Sequence, residues 1–160
     1  MNPLPLAPPV SGRLMELSPG AFSGQPLIRK IDGARRWVLE EELMYRSRGG
    51  RTITVPVGFE TDGASVPRPL WILYPPFGGE YDRAAIVHDY LYANAERFIG
   101  DDQGQISRGE VDRLMLEMMD VDEFRLTGRR MIYRGVRVGG WRPWGHYRQQ
   151  AEKRASCLSS

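Results

Sequence analysis

The apolar residues change their spacing part-way along the chain, and that change limits the folds open to it. Ile53, Val55, Val57 and Phe59 alternate with Thr52, Thr54, Pro56 and Gly58, the period of a strand with one buried face. Trp37, Leu39, Leu43 and Tyr45 share a parity in the same way, interrupted by Glu41. Gly49 and Gly50 fall between the two segments and predict a hairpin turn. Pro56 has no backbone donor, so the second strand is expected at a sheet edge or paired there only through its carbonyls. From residue 81 the spacing becomes helical: Ala84, His88, Leu91, Tyr92 and Ala95 share one face of a helix over residues 81–95. A second helix begins at Ser107, which forms an S-x-x-E capping box with Glu110, and runs on through Val111, Leu114, Met115 and Met118. A third covers residues 124–138 and stops at Gly139 and Gly140. The expectation is an α+β fold, a small antiparallel hairpin or sheet followed by a three-helix region.

The flanks differ from this middle. Residues 1–25 are rich in Pro, Gly and Ser and read as an extended arm, residues 26–145 as a single α+β domain, and residues 146–160 as a basic flexible tail. Between residues 125 and 154 nine Lys and Arg accompany one acid, Glu152, so the rest of the chain is net acidic although the whole carries +2. That run suits nucleic acid, anionic lipid head groups or an acidic protein surface, and equally a solvated helix face. It contains no nucleic-acid motif, so nucleic acid ranks last among partners. No window approaches the ~18 apolar residues of a membrane span. The start MNPLPLAPPV has prolines where a signal peptide needs an apolar run, so no export signal is expected. A single cysteine, Cys157, excludes an intrachain disulfide and a thiolate metal cage.

Of two histidines, His146 lies in the basic segment without an acidic neighbour, and His88 is the better candidate for chemistry. Asp89 points about 100° away from it round the helix axis, which suggests separate tasks. Asp112 lies early in the next helix, on the edge of an apolar stripe made by Met115, Leu116 and Met119, where a carboxylate needs a partner. Two antiparallel helices would bring it to His88, fixing one ring nitrogen and leaving the other to take a proton from water. A buried histidine satisfied by a structural hydrogen bond remains the other reading. Asp89 would be left for a cation, with carbonyls from the loop YPPFGGE (residues 74–80) supplying the oxygen ligands that Ca²⁺ takes, or would be a solvated side chain. Asp62 and Ser65 form a second polar cluster; Ser65 could join His88 in a triad or cap a short helix, the more usual role of such a serine.

The run GFETDGASVPRPLWILYPPFGGEYDRAAIVHDYLY resembles a family of uncharacterised proteins found mainly in tailed bacteriophages and prophages, with the pattern GF-x-TD-x-ASVPR followed by AA-x-x-HD-x-LY. The likeness covers residues 37–144. It implies a phage or prophage setting: a virion or the infected bacterial cytoplasm as location, other phage proteins as partners, and no particular activity. More locally, DRAAIVHDYLY is similar to the active-site helix of secreted and viral phospholipases A2, with Ala84, Ala85 and Leu91 where the secreted enzymes have cysteines. That resemblance implies that His88 activates water, that Asp112 orients it, and that Tyr92 supports the network. It also implies Ca²⁺ held by Asp89 with carbonyls near Phe77, Gly78 and Gly79, and a lipid or cell-envelope substrate. The expected function is therefore a His/Asp hydrolytic centre of phospholipase A2 type or another ester or amide hydrolase. A non-enzymatic virion or assembly component, docking through arm and tail, is the alternative.

Overall fold

The computed structural model describes residues 17–31, 33, 36–61 and 79–158. Their architecture is α+β: two small antiparallel sheets followed by four helices. Strands β1 (Ala21–Phe22), β4 (Leu43–Arg46) and β5 (Thr52–Val55) form one sheet in the order β1-β4-β5. Strands β2 (Ile28–Lys30), β3 (Trp37–Leu39) and β6 (Glu60–Thr61) form the other, in the order β2-β3-β6.

The segment with shared parity from Trp37 to Tyr45 is thus divided between two sheets. Glu40, Glu41 and Glu42 separate β3 from β4, all exposed; three adjacent carboxylates repel one another and sit poorly in a pleated ladder. β4 and β5 make the expected hairpin, with Tyr45 opposite Ile53 and Arg46 opposite Thr52. Gly50 closes it in the left-handed region (φ +85°), the reason a glycine stands there. β5 lies at the sheet edge and ends before Pro56, after which Val57 turns outward into solvent. Part of the expected arm belongs to the fold: β1 pairs with β4, and the Phe22 ring lies 4.6 Å from that of Tyr45.

Helix α1 (Asp82–Ala93) carries eight buried residues, and Ile86, Val87 and Leu91 have no exposed surface. Each such side chain contributes about 1.5–3 kcal/mol, so α1 forms as the centre of the core rather than from local propensity. It packs on α2 (Arg108–Val121), on β5 and β6, and on α4 (Trp141–Leu158), while α3 (Leu126–Gly139) packs on α2. The capping box forms as expected: the Ser107 hydroxyl accepts from the Glu110 backbone N–H, and the Glu110 carboxylate accepts from the Ser107 N–H at 2.7 Å. The core joins Leu39, Leu43, Tyr45, Ile53 and Val55 to α1 and to Val111, Met115, Met118 and Met119 of α2.

The C-terminal expectation needs correction. Residues 146–160 were expected as a flexible tail after three helices, but residues 141–158 form an 18-residue fourth helix. Its first turns are held on α1: the Trp144 ring meets Tyr92 edge-on at 5.0 Å, and Arg148 donates to the Tyr92 carbonyl at 2.7 Å and to Glu96 at 3.0 Å. No described helix is long and apolar enough to cross a membrane.

Candidate functional site

The antiparallel packing of α1 on α2 brings His88 to Asp112. His88 Nε2 lies 3.1 Å from Asp112 Oδ1, and Tyr92, one turn further along α1, donates its hydroxyl to the same oxygen at 2.6 Å. Asp112 is fully buried and His88 is 5% exposed. The other carboxylate oxygen, Oδ2, accepts from Arg137 of α3 at 3.0 Å, with Arg108 Nη1 at 3.9 Å. Arg108 also donates to the Arg137 carbonyl at 3.0 Å, which fixes the end of α3 beside the site.

Burial alone would push the Asp112 carboxyl up. The hydrogen bonds from His88 and Tyr92 and the bond from Arg137 outweigh it and hold the group below the usual carboxylate range. Burial first, and then the bond to Asp112, push the Tyr92 phenol up, so it stays a donor. An ionised carboxylate can only accept, which assigns the proton of a neutral His88 ring to Nε2 and leaves the lone pair on Nδ1. Nδ1 lies 4.0 Å from Asp89 Oδ1, too far for a direct hydrogen bond and a span that one bridging water can fill.

Asp89 points away from Asp112, as the helical geometry requires. Its Oδ2 accepts from the Thr61 hydroxyl of β6 at 2.5 Å, so a strand, and not only a loop, meets it. Of the expected calcium ligands, Phe77 and Gly78 lie outside the described residues, as do Asp62 and Ser65. Gly79 is engaged in starting α1: its N–H donates to Asp82 Oδ1 and its carbonyl accepts from the Asp82 N–H, each at 3.2 Å. Among the described residues there is no cluster of three or more His, Cys, Asp or Glu able to hold a metal. Of the shell that the resemblance implies, Asp89 and Gly79 are the members among the described residues.

Sequence reasoning missed Thr61, Arg108 and Arg137. Arg137 had a usable signal: a buried carboxylate beside a neutral histidine needs a cation, and α3 contains arginines and no acid.

A family model described as "Protein of unknown function (DUF1353)" matches residues 37–136, more than half of the chain. The chain belongs to this family. The DUF1353 region contains Thr61, His88, Asp89, Tyr92, Arg108 and Asp112, and ends one residue before Arg137 and before α4. A relative, "Uncharacterized protein y4jT" of Sinorhizobium fredii, is 34% identical over 85 residues, 51% of this chain and 25% of that protein. The chain thus spans about a quarter of the length of that relative. No solved structure matches the chain.

Proposed function

We propose that this DUF1353 domain is a hydrolase in which His88 is the general base. What supports this reading is one arrangement: the His88 ring is fixed through Nε2 on a buried, ionised Asp112, so that Nδ1 carries the lone pair. A water held at Nδ1 and turned by Asp89 would attack an ester or amide carbonyl. The water oxygen bonds to the carbonyl carbon, its proton passes to Nδ1, and the same proton leaves with the alcohol or amine as the scissile bond breaks. Tyr92 and Arg137 hold Asp112 still and charged throughout; Thr61 holds Asp89. Phospholipid esters are the substrates to try first, because HD-x-x-Y on α1 with a distant Asp resembles the pattern of phospholipases A2. No step here runs through Ca²⁺.

The test is release of fatty acid from mixed phospholipid vesicles by the purified protein, with Ca²⁺ and with chelator, beside His88→Ala. We expect release that falls roughly a hundredfold or more in the variant, and its dependence on chelator reports whether the reaction needs a cation. No release from vesicles or from a panel of simple esters and amides, with the variant equally folded, would overturn the hydrolase.

A second reading is favoured by the low exposure of His88. In it His88, Tyr92, Asp112 and Arg137 are a structural staple across three helices, and the protein is a non-enzymatic part of a phage virion or its assembly. His88→Ala would then lower stability while no substrate is turned over.

A further inference from the structure

The outer side of α3 and the start of α4 carry two adjacent stripes, of which the site uses only Arg137. Arg130, Arg134 and Arg137 follow one another at four- and three-residue spacing, which aligns them along one side of the helix. Beside them lie Met131 and Val138, two turns apart, with Trp141 three residues beyond Val138 at the start of α4. Val138 is 76% exposed and Trp141 59%. α3 contains no acid. Its Arg129 is paired with Asp120 and its Arg137 with Asp112, whereas Arg130, Arg134 and Arg142 pair with no carboxylate among the described residues. Arg142 instead lies over the Trp141 ring at 5.0 Å.

The basic charge extends round α3 into a groove of about 500 Å³ between α2 and α3, lined by Arg48, Arg113, Arg129 and Arg130 with Leu116 and Leu126. The two acids there are engaged: Glu117 accepts from the Tyr45 hydroxyl and the Arg48 N–H, and Asp120 from Arg48 and Arg129. Arg113 and Arg130 have no such partner among the described residues, so the groove wall is net positive.

Arginines alone would suit any polyanion. Exposed Val, Met and Trp beside them separate the polyanions, since a phosphate backbone offers nothing to bury aliphatic side chains against. A bilayer surface takes both, with cations among head groups, apolar side chains at the acyl boundary and Trp at the level between. We propose that the outer face of α3, with Trp141 and the adjoining α2–α3 groove, docks this protein on an anionic lipid membrane. The docking does not require His88 to be a base.

The experiment is flotation of the full chain with extruded phosphatidylcholine vesicles, with and without phosphatidylglycerol, at low and high salt. Binding to the anionic vesicles only, weakened by salt, is expected. Replacing two arginines, Arg130→Ser with Arg134→Ser, should weaken it about thirtyfold. Val138→Ser should weaken it several-fold, and His88→Ala should bind as the parent does, which separates docking from hydrolysis. All these positions except His88 are exposed, and circular dichroism checks that each variant folds. Equal binding to neutral vesicles, no binding to anionic ones, or indifference to the arginine and Val138 substitutions would overturn the proposal. A shift of duplex oligonucleotide without vesicle binding would overturn it too, and would assign the face to nucleic acid.

Discussion

Asp112 and Glu110 stand two residues apart in the first turns of α2, and both are carboxylates whose burial is outweighed by donors. For Glu110 burial acts upward, while the Ser107 hydroxyl, the Asp101 and Ser107 N–H groups and the charge of Arg51 bring the carboxyl from 4.5 down to about 2. A folded-state value below the unfolded one means stability that is fully present above about 4.5 and is lost as the pH falls toward about 2. Glu110→Gln should therefore cost about 1–2 kcal/mol at neutral pH. Urea denaturation at a series of pH values should show the variant's deficit narrowing below 4.5. A deficit unchanged down to pH 3 would mean that the interaction does not depend on the charge. Asp112 follows the same sign: its contribution is present above the ordinary carboxylate range and is lost in acid as the carboxyl takes up a proton.

At the scale of elements, the join between α3 and α4 decides where Tyr92 can sit. The backbone ladder continues across it, Gly140 N–H to the Val136 carbonyl at 2.8 Å and Trp144 N–H to the Gly140 carbonyl at 3.0 Å. A Cβ on Gly140 would lie 2.5 Å from both the Tyr92 hydroxyl and the Val136 carbonyl, whereas one on Gly139 would meet nothing within 4 Å. Gly140→Ala should thus destabilise by about 1–3 kcal/mol and displace the Tyr92 hydroxyl from Asp112. Gly139→Ala should be neutral or stabilise by up to about 1 kcal/mol. Thermal denaturation of the two variants side by side checks the contrast. The sequence showed where α3 ends but not that only the second of the two glycines is needed, because the close approach comes from α1, some fifty residues earlier. The same limit applied elsewhere. The capping box, the Gly50 hairpin and the His88–Asp112 meeting were legible because each follows from local spacing or from two adjacent helices. The division of Trp37 to Tyr45 between two sheets was not, since parity carries across the Glu40–Glu41–Glu42 break unchanged. Helix α4 was hidden by its composition: arginines read as a solvated tail until Trp144 and Arg148 are seen to have partners on α1.

For the molecule as a whole, α4 is part of the helical half and not an appendage. A chain ending at Gly140 should lose at least about 3 kcal/mol, the scale of a lost core aromatic, as Tyr92 and the end of α1 are exposed. A chain ending at Gln150 keeps Trp144 and Arg148 and should unfold close to the parent; comparing the two by urea denaturation and limited proteolysis checks this. The three-helix junction at Asp112 has a further consequence for how the protein is made. During synthesis His88 and Tyr92 leave the ribosome before Asp112, and Arg137 leaves after it. Until residue 137 has emerged, closing α1 against α2 buries a carboxylate whose nearest guanidinium is that of Arg108 at 3.9 Å, without the hydrogen bond that Arg137 supplies, at a cost on the order of 1–3 kcal/mol. The α1–α2 pair alone is therefore less stable than the same pair with α3 in place, and its full stability waits for the guanidinium that bonds Asp112.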